Sequence, residues 1–123
     1  MIKHILLVGL GGGFGSVARY LCQKWFASHY LHPIPWATLT VNIVGCFAIG
    51  IFWALSFRSF ESNENWKLFF MTGICGGYTT FSAFTLEGIG LIREQKFILF
   101  FSYIIASVVV GLLATYAGMK LIR

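Results

Sequence analysis

A chain of 123 residues that is 58% hydrophobic and only 11% charged, with a mean hydropathy of +0.80, cannot bury that much apolar surface in a soluble domain of its size. The net charge of +5 does not point to nucleic acid, because the nine Lys and Arg stand at the ends of apolar runs, as membrane flanks do. With no Asp and only Glu61, Glu64, Glu87 and Glu94, no set of nucleophile, base and acid can be assembled, so the expectation is an all-α integral membrane protein that is not an enzyme.

The first apolar run, Ile5 to Ala18, has 14 uncharged residues. That is too short for a bilayer, so the span is expected to continue past Arg19, over about residues 4–28. No small-residue cleavage site follows before Arg19 and Lys24, which predicts a retained helix rather than a signal peptide. Its glycines miss the GxGxxG pattern at Phe14 and Ser16. They do set small residues four apart, in Gly9-xxx-Gly13, Gly11-xxx-Gly15 and Gly12-xxx-Ser16, which predicts close helix packing. Arg19 is the one cation well inside a span. Two readings are open for it: snorkelling to the interface, or a positive vestibule that attracts an anion.

A turn is expected over residues 31–36, with Pro33 and Pro35 and an isolated HxxH at His29 and His32 that reads as surface. The second span, about residues 34–57, carries one strong polar group, Asn42. An amide in hydrocarbon costs on the order of a few kcal/mol unless paired, so Asn42 serves either as interhelical glue or as a hydrogen donor to a passing anion. Cys22, Cys46 and Cys75 are odd in number and lack CxxC spacing, and they read as small buried thiols. Residues 58–67 form the polar loop.

The third span, about residues 67–90, holds the most informative stretch, Gly73 to Phe84. Gly76 and Gly77 weaken a helix at mid-span, and Thr79 and Thr80 offer the backbone competing hydrogen bonds. A helix break at membrane depth is tolerated only where protein or a polar cavity covers it, and it frees carbonyl oxygens that can hold a cation. Phe81 and Phe84, three apart, share a face among the hydroxyls of Thr79, Thr80, Ser82 and Thr85. Their electropositive ring edges can face an anion. Together these features predict an ion site.

Glu87, at the end of this span, reads as an interfacial carboxylate. The last span, about residues 97–120, repeats Tyr103, Ser107, Gly111 and Thr115 every four positions, which puts hydroxyls and one gap on a single stripe. The whole chain, residues 1–123, is therefore expected to be one four-helix transmembrane domain. Lys3, Arg58, Lys67, Lys120 and Arg123 fall on the side of the termini, and Lys24, Arg93 and Lys96 on the other, with Arg19 added if it snorkels outward. So small a bias predicts insertion in both orientations, and a dual-topology homodimer would supply an inverted repeat from one sequence.

These motifs resemble the Fluc, or CrcB-type, fluoride channel family: the Gly-rich first helix ending in Ala18-Arg19-Tyr20, the Thr38 to Gly45 stretch, and above all Gly76-Gly77-Tyr78-Thr79-Thr80-Phe81-Ser82-Ala83-Phe84. The resemblance covers essentially the whole chain. It implies four transmembrane helices with the third broken at mid-membrane, an antiparallel dual-topology homodimer in a bacterial inner (plasma) membrane, and two fluoride pores along the subunit interface. It also implies a structural sodium ion (Na+) at the dimer centre, held by the carbonyls of Gly76 and Thr79. The fluoride pathway it implies runs past Asn42, Phe81, Phe84, Ser107, Tyr103, Thr80 and Arg19. Gly111 stands where some relatives carry another hydroxyl, and Glu87 aligns with an acidic group at the pore's other end. The implied partners are fluoride, a second copy of the chain and membrane lipid, with no nucleic acid. A small proton-coupled exporter of drugs or cations is the alternative, but that chemistry needs a deep carboxylate and the first helix has none. A packing subunit of a larger complex is a third reading, which leaves the Thr-Thr-Phe-Ser-x-Phe motif without a role.

Overall fold

A computed structural model describes residues 1–29, 35–58 and 63–122. The described residues form helices and no strands: α1 (Ile2–His29), α2 (Trp36–Arg58), α3 (residues 64–78), α4 (Phe81–Arg93) and α5 (Phe97–Leu121). Within α3, Glu64–Lys67 and Gly76–Tyr78 are α-helical and Leu68–Cys75 between them is wound as a π-helix. Three helices, α1, α2 and α5, are each long and apolar enough to cross a membrane. Residues 31–34 of the expected turn and 59–62 of the expected loop lie outside the described residues. The end of that loop is helical instead, because Asn63 Oδ1 accepts from Trp66 N–H at 3.1 Å and starts α3.

Glycine decides which helices touch. Lipid tails are as apolar as the side chains, so helix pairs gain from close van der Waals approach where residues are small. On α1, Gly11 and Gly15 are buried. A Cβ on Gly11 would run into Phe69 O, one on Gly15 into Ile74 O, and one on Gly77 into Gly12 O. So α1 and α3 lie backbone to backbone. The same device joins α2 to α5, where Gly50 meets Thr115 O and Gly118 meets Phe47 O. The expected Gly9-xxx-Gly13 contact is absent from this packing: Gly9 and Gly13 have open space within 4 Å, and Ser16 is exposed.

The turn between α4 and α5 closes with Gln95 N–H on Ile92 O and Lys96 N–H on Leu91 O, both at 2.9 Å, with Gln95 in the left-handed region at φ 59°. This paired closure reverses the chain, and α4 folds back on α5. The broken element thus divides its partners: α3 lies on α1 and α4 lies on α5. The break falls between the two helix pairs.

Candidate ion site

The break is at Thr79 and Thr80, both extended at φ −88°, ψ 159° and φ −150°, ψ 122°. Gly76 and Gly77, expected to weaken the helix, stay helical. Gly77 is there to let α1 approach, whereas Thr79 and Thr80 use their side chains as alternative partners for the backbone. Thr79 Oγ1 donates to Cys75 O at 2.9 Å, closing α3. Thr80 Oγ1 accepts from Ala83 N–H at 3.2 Å and caps α4. The Thr79 methyl fills the notch at Gly45 of α2, where a Cβ would collide with it.

A break in a helix is an account of hydrogen bonds that must be met elsewhere. Asn42 of α2 meets two at once: its Oδ1 accepts from Thr80 N–H at 2.8 Å and its Nδ2 donates to Thr80 O at 3.0 Å. Arg19 meets a third, donating from Nε to Gly77 O at 3.1 Å. This places a positive charge at the C-terminal end of α3, where the helix dipole favours it. Two donors that a continuous helix would use are diverted: Thr80 N–H from Gly76 O, and Ala83 N–H from Thr79 O. Gly76 and Thr79 therefore hold carbonyls without their helical donors. Oxygen ligands of this kind suit a hard cation such as sodium, so the donor set fits one.

Beside the break lies a cleft of about 630 Å³. Asn42, Thr79, Thr80, Phe81, Phe84 and Ser107 line it, with Gly45, Cys46, Met71, Cys75 and Gly76 among the remaining walls. Only one hydrogen of the Asn42 amide is engaged by Thr80, which leaves a second on Nδ2. Ser107 Oγ is buried without a hydrogen-bond partner. The Phe81 ring is 75% exposed, and Phe84 sits 5.7 Å from it by ring centroids.

The other candidates fall beyond the cleft. Tyr103 is buried; its ring lies 5.2 Å from Phe84 and its hydroxyl donates to Glu87 Oε1 at 3.2 Å. Thr38, fully buried, donates to Glu87 Oε2 at 3.1 Å. Glu87, expected as an interfacial carboxylate, is half-buried and joins α2, α4 and α5. Polar groups on three helices each need a partner, but nothing local in the sequence says that these three find one another. Gly111 faces Cys46, whose Sγ would lie 3.5 Å from a Cβ there. His29 belongs to α1, stacks on Trp25 at 4.3 Å and bonds Trp25 O through Nδ1 at 2.8 Å; His32 lies outside the described residues.

A family-level sequence model described as "CrcB-like protein, Camphor Resistance (CrcB)" matches residues 6–119. Relatives named "Fluoride-specific ion channel FluC" align over nearly full length. One from Leptospira interrogans serogroup Icterohaemorrhagiae serovar copenhageni is 41% identical over 121 residues, covering 98% of this chain and 95% of the relative. One from Rhizobium meliloti is 42% identical over 122 residues, covering 99% and 98%. One from Flavobacterium psychrophilum is 42% identical over 118 residues, covering 96% and 95%.

Proposed function

This chain belongs to the CrcB-like family, and from that premise we propose that it is a fluoride-specific ion channel, not an enzyme, which lets fluoride leave the cell passively. The observation that carries the reading is the cleft at the helix break, where a spare Asn42 hydrogen, the unpartnered Ser107 hydroxyl and the rings of Phe81 and Phe84 meet. Fluoride is small and strongly hydrated, so a pore must replace its water with donors without holding it fast. Amide hydrogens, hydroxyls and electropositive ring edges are such donors, and a narrow path excludes larger halides by fit.

The assembled state in this reading is an antiparallel, dual-topology homodimer in the plasma membrane of a bacterium, with α3 and α4 together making a fourth, broken span. Supporting it are the open faces at Gly9, Gly13 and Gly76 and the exposed Phe81, which stand ready for a second copy. At the dimer centre, Gly76 and Thr79 of both copies would hold a structural sodium ion, whose charge gathers carbonyl dipoles that would otherwise repel. Thr80 and Tyr103 hold the path's walls through Asn42 and Phe84, and Arg19 anchors α3 beside it. The proton-coupled exporter is set aside, because the relatives aligned along the whole chain carry the channel name.

Expression in a bacterial strain lacking its own fluoride exporter tests the function. Growth restored in fluoride medium supports the channel, and continued sensitivity with protein present in the membrane counts against it. A cytoplasmic-only reporter fused to the C-terminus tests the topology. Labelling of part of the population fits both orientations, and uniform labelling removes dual topology.

A further inference from the structure

The carbonyls of Gly76, Gly77, Thr79 and Thr80 stand at the break, and the side chains around them sort which remain available. Thr80 O is taken by Asn42 Nδ2 at 3.0 Å and Gly77 O by Arg19 Nε at 3.1 Å. Thr79 O is left because Thr80 Oγ1 captures Ala83 N–H. Gly76 O is left for a different reason, which lies on another helix. Its helical donor would be Thr80 N–H, and that hydrogen goes to Asn42 Oδ1 at 2.8 Å.

We propose that Asn42 is a positioning residue for the cation site: by holding Thr80 N–H, its side-chain carbonyl keeps the Gly76 carbonyl free to take a hard cation. The inference rests on the reading of a sodium ion at the break and adds to it the residue that makes the site. The geometry is that of a strand neighbour. Asn42 makes both bonds to the same residue, Thr80, whose extended backbone turns N–H and C=O toward α2. Only a planar amide offers an acceptor and a donor side by side at that reach. Without the acceptor, the α-helical partner of Thr80 N–H is the Gly76 carbonyl, and a return to it would take that carbonyl from the cation. Open space within 4 Å of the Gly76 Cβ position leaves that side of the residue accessible to an ion or a second copy.

One amide then serves two ions. Its oxygen and one hydrogen fix Thr80, which sets the cation's ligands, while its second hydrogen remains for the anion in the cleft. Asn42→Asp keeps the acceptor for Thr80 N–H, the bond that frees the Gly76 carbonyl, while losing both NH₂ hydrogens, the one on Thr80 O and the one left for the anion.

The test uses the purified full-length protein in detergent, with thermal unfolding and the dimer fraction measured in sodium chloride and in N-methyl-D-glucamine chloride. The wild type is expected to show a higher midpoint and more dimer in sodium. Asn42→Ala is expected to lose that sodium-dependent shift, and Asn42→Asp to retain it while losing fluoride flux. A shift in Asn42→Ala equal to that of the wild type would overturn the role of Asn42 and leave the sodium reading standing. A wild type indifferent to sodium would overturn the sodium reading and the inference with it. Where Asn42→Ala yields no folded protein, Asn42→Asp decides alone: a retained shift supports the inference and a lost shift overturns it.

Discussion

Tyr103 and Glu87, 16 residues apart on helices that fold back on one another, are joined by a hydrogen bond of 3.2 Å from the phenol to Oε1. Thr38 reaches the other carboxylate oxygen from α2 at 3.1 Å. A half-buried carboxylate in an apolar bundle depends on such donors. Tyr103→Phe keeps the ring against Phe84 and removes one donor. It is expected to cost about 1–3 kcal/mol, read from equilibrium unfolding in detergent. Unchanged stability would show that this bond contributes nothing.

Adjacent glycines at the break should respond differently. A Cβ on Gly77 collides with Gly12 O, whereas one on Gly76 meets nothing within 4 Å. Gly77→Ala is expected to separate α1 from α3 at a cost of about 1–3 kcal/mol, seen as a reduced yield of folded protein. Gly76→Ala should leave the single chain intact, so any loss it causes should appear in the dimer fraction on size exclusion.

The turn before α5 offers a stabilising change. Gln95 holds φ 59° in a helix-ending motif that glycine normally occupies. Gln95→Gly relieves the side chain's steric cost and should raise stability by about 0.5–1 kcal/mol after the glycine's own entropy loss. A fall in the unfolding midpoint would contradict this.

Around the cleft, stability and flux should separate. Ser107→Ala removes a buried hydroxyl that has no partner, so stability should hold or rise while fluoride flux falls. Phe81→Ile, at an exposed ring, should slow flux with little change in the stability of the chain. Phe84→Ile should slow flux and also cost about 1 kcal/mol, because Phe84 packs on Tyr103. Liposome flux and unfolding midpoints on the same preparations check all three; flux equal to wild type in either Phe variant removes that ring from the pathway.

Apolar runs and their glycine spacing made the helices legible, since both follow from local physics. The break was legible from Thr79 and Thr80, whose hydroxyls compete for the backbone, but Gly76 and Gly77 misled. Glycine both loosens a helix and admits a neighbour, and only the position of Gly12 opposite Gly77 decides between the two. Likewise, Asn42 announced a buried amide in need of a partner, yet nothing local indicated that the partner would be the Thr80 backbone, 38 residues away. The Glu87 cluster stayed hidden for the same reason: Thr38, Glu87 and Tyr103 meet only after three helices have packed.

The most direct measurement is fluoride efflux from liposomes carrying the purified protein and loaded with potassium fluoride, followed with a fluoride electrode after valinomycin, with chloride-loaded liposomes alongside. Rapid fluoride release with negligible chloride release is the expected result. No fluoride release from verified, folded protein, or equal release of both halides, would contradict a fluoride-specific channel.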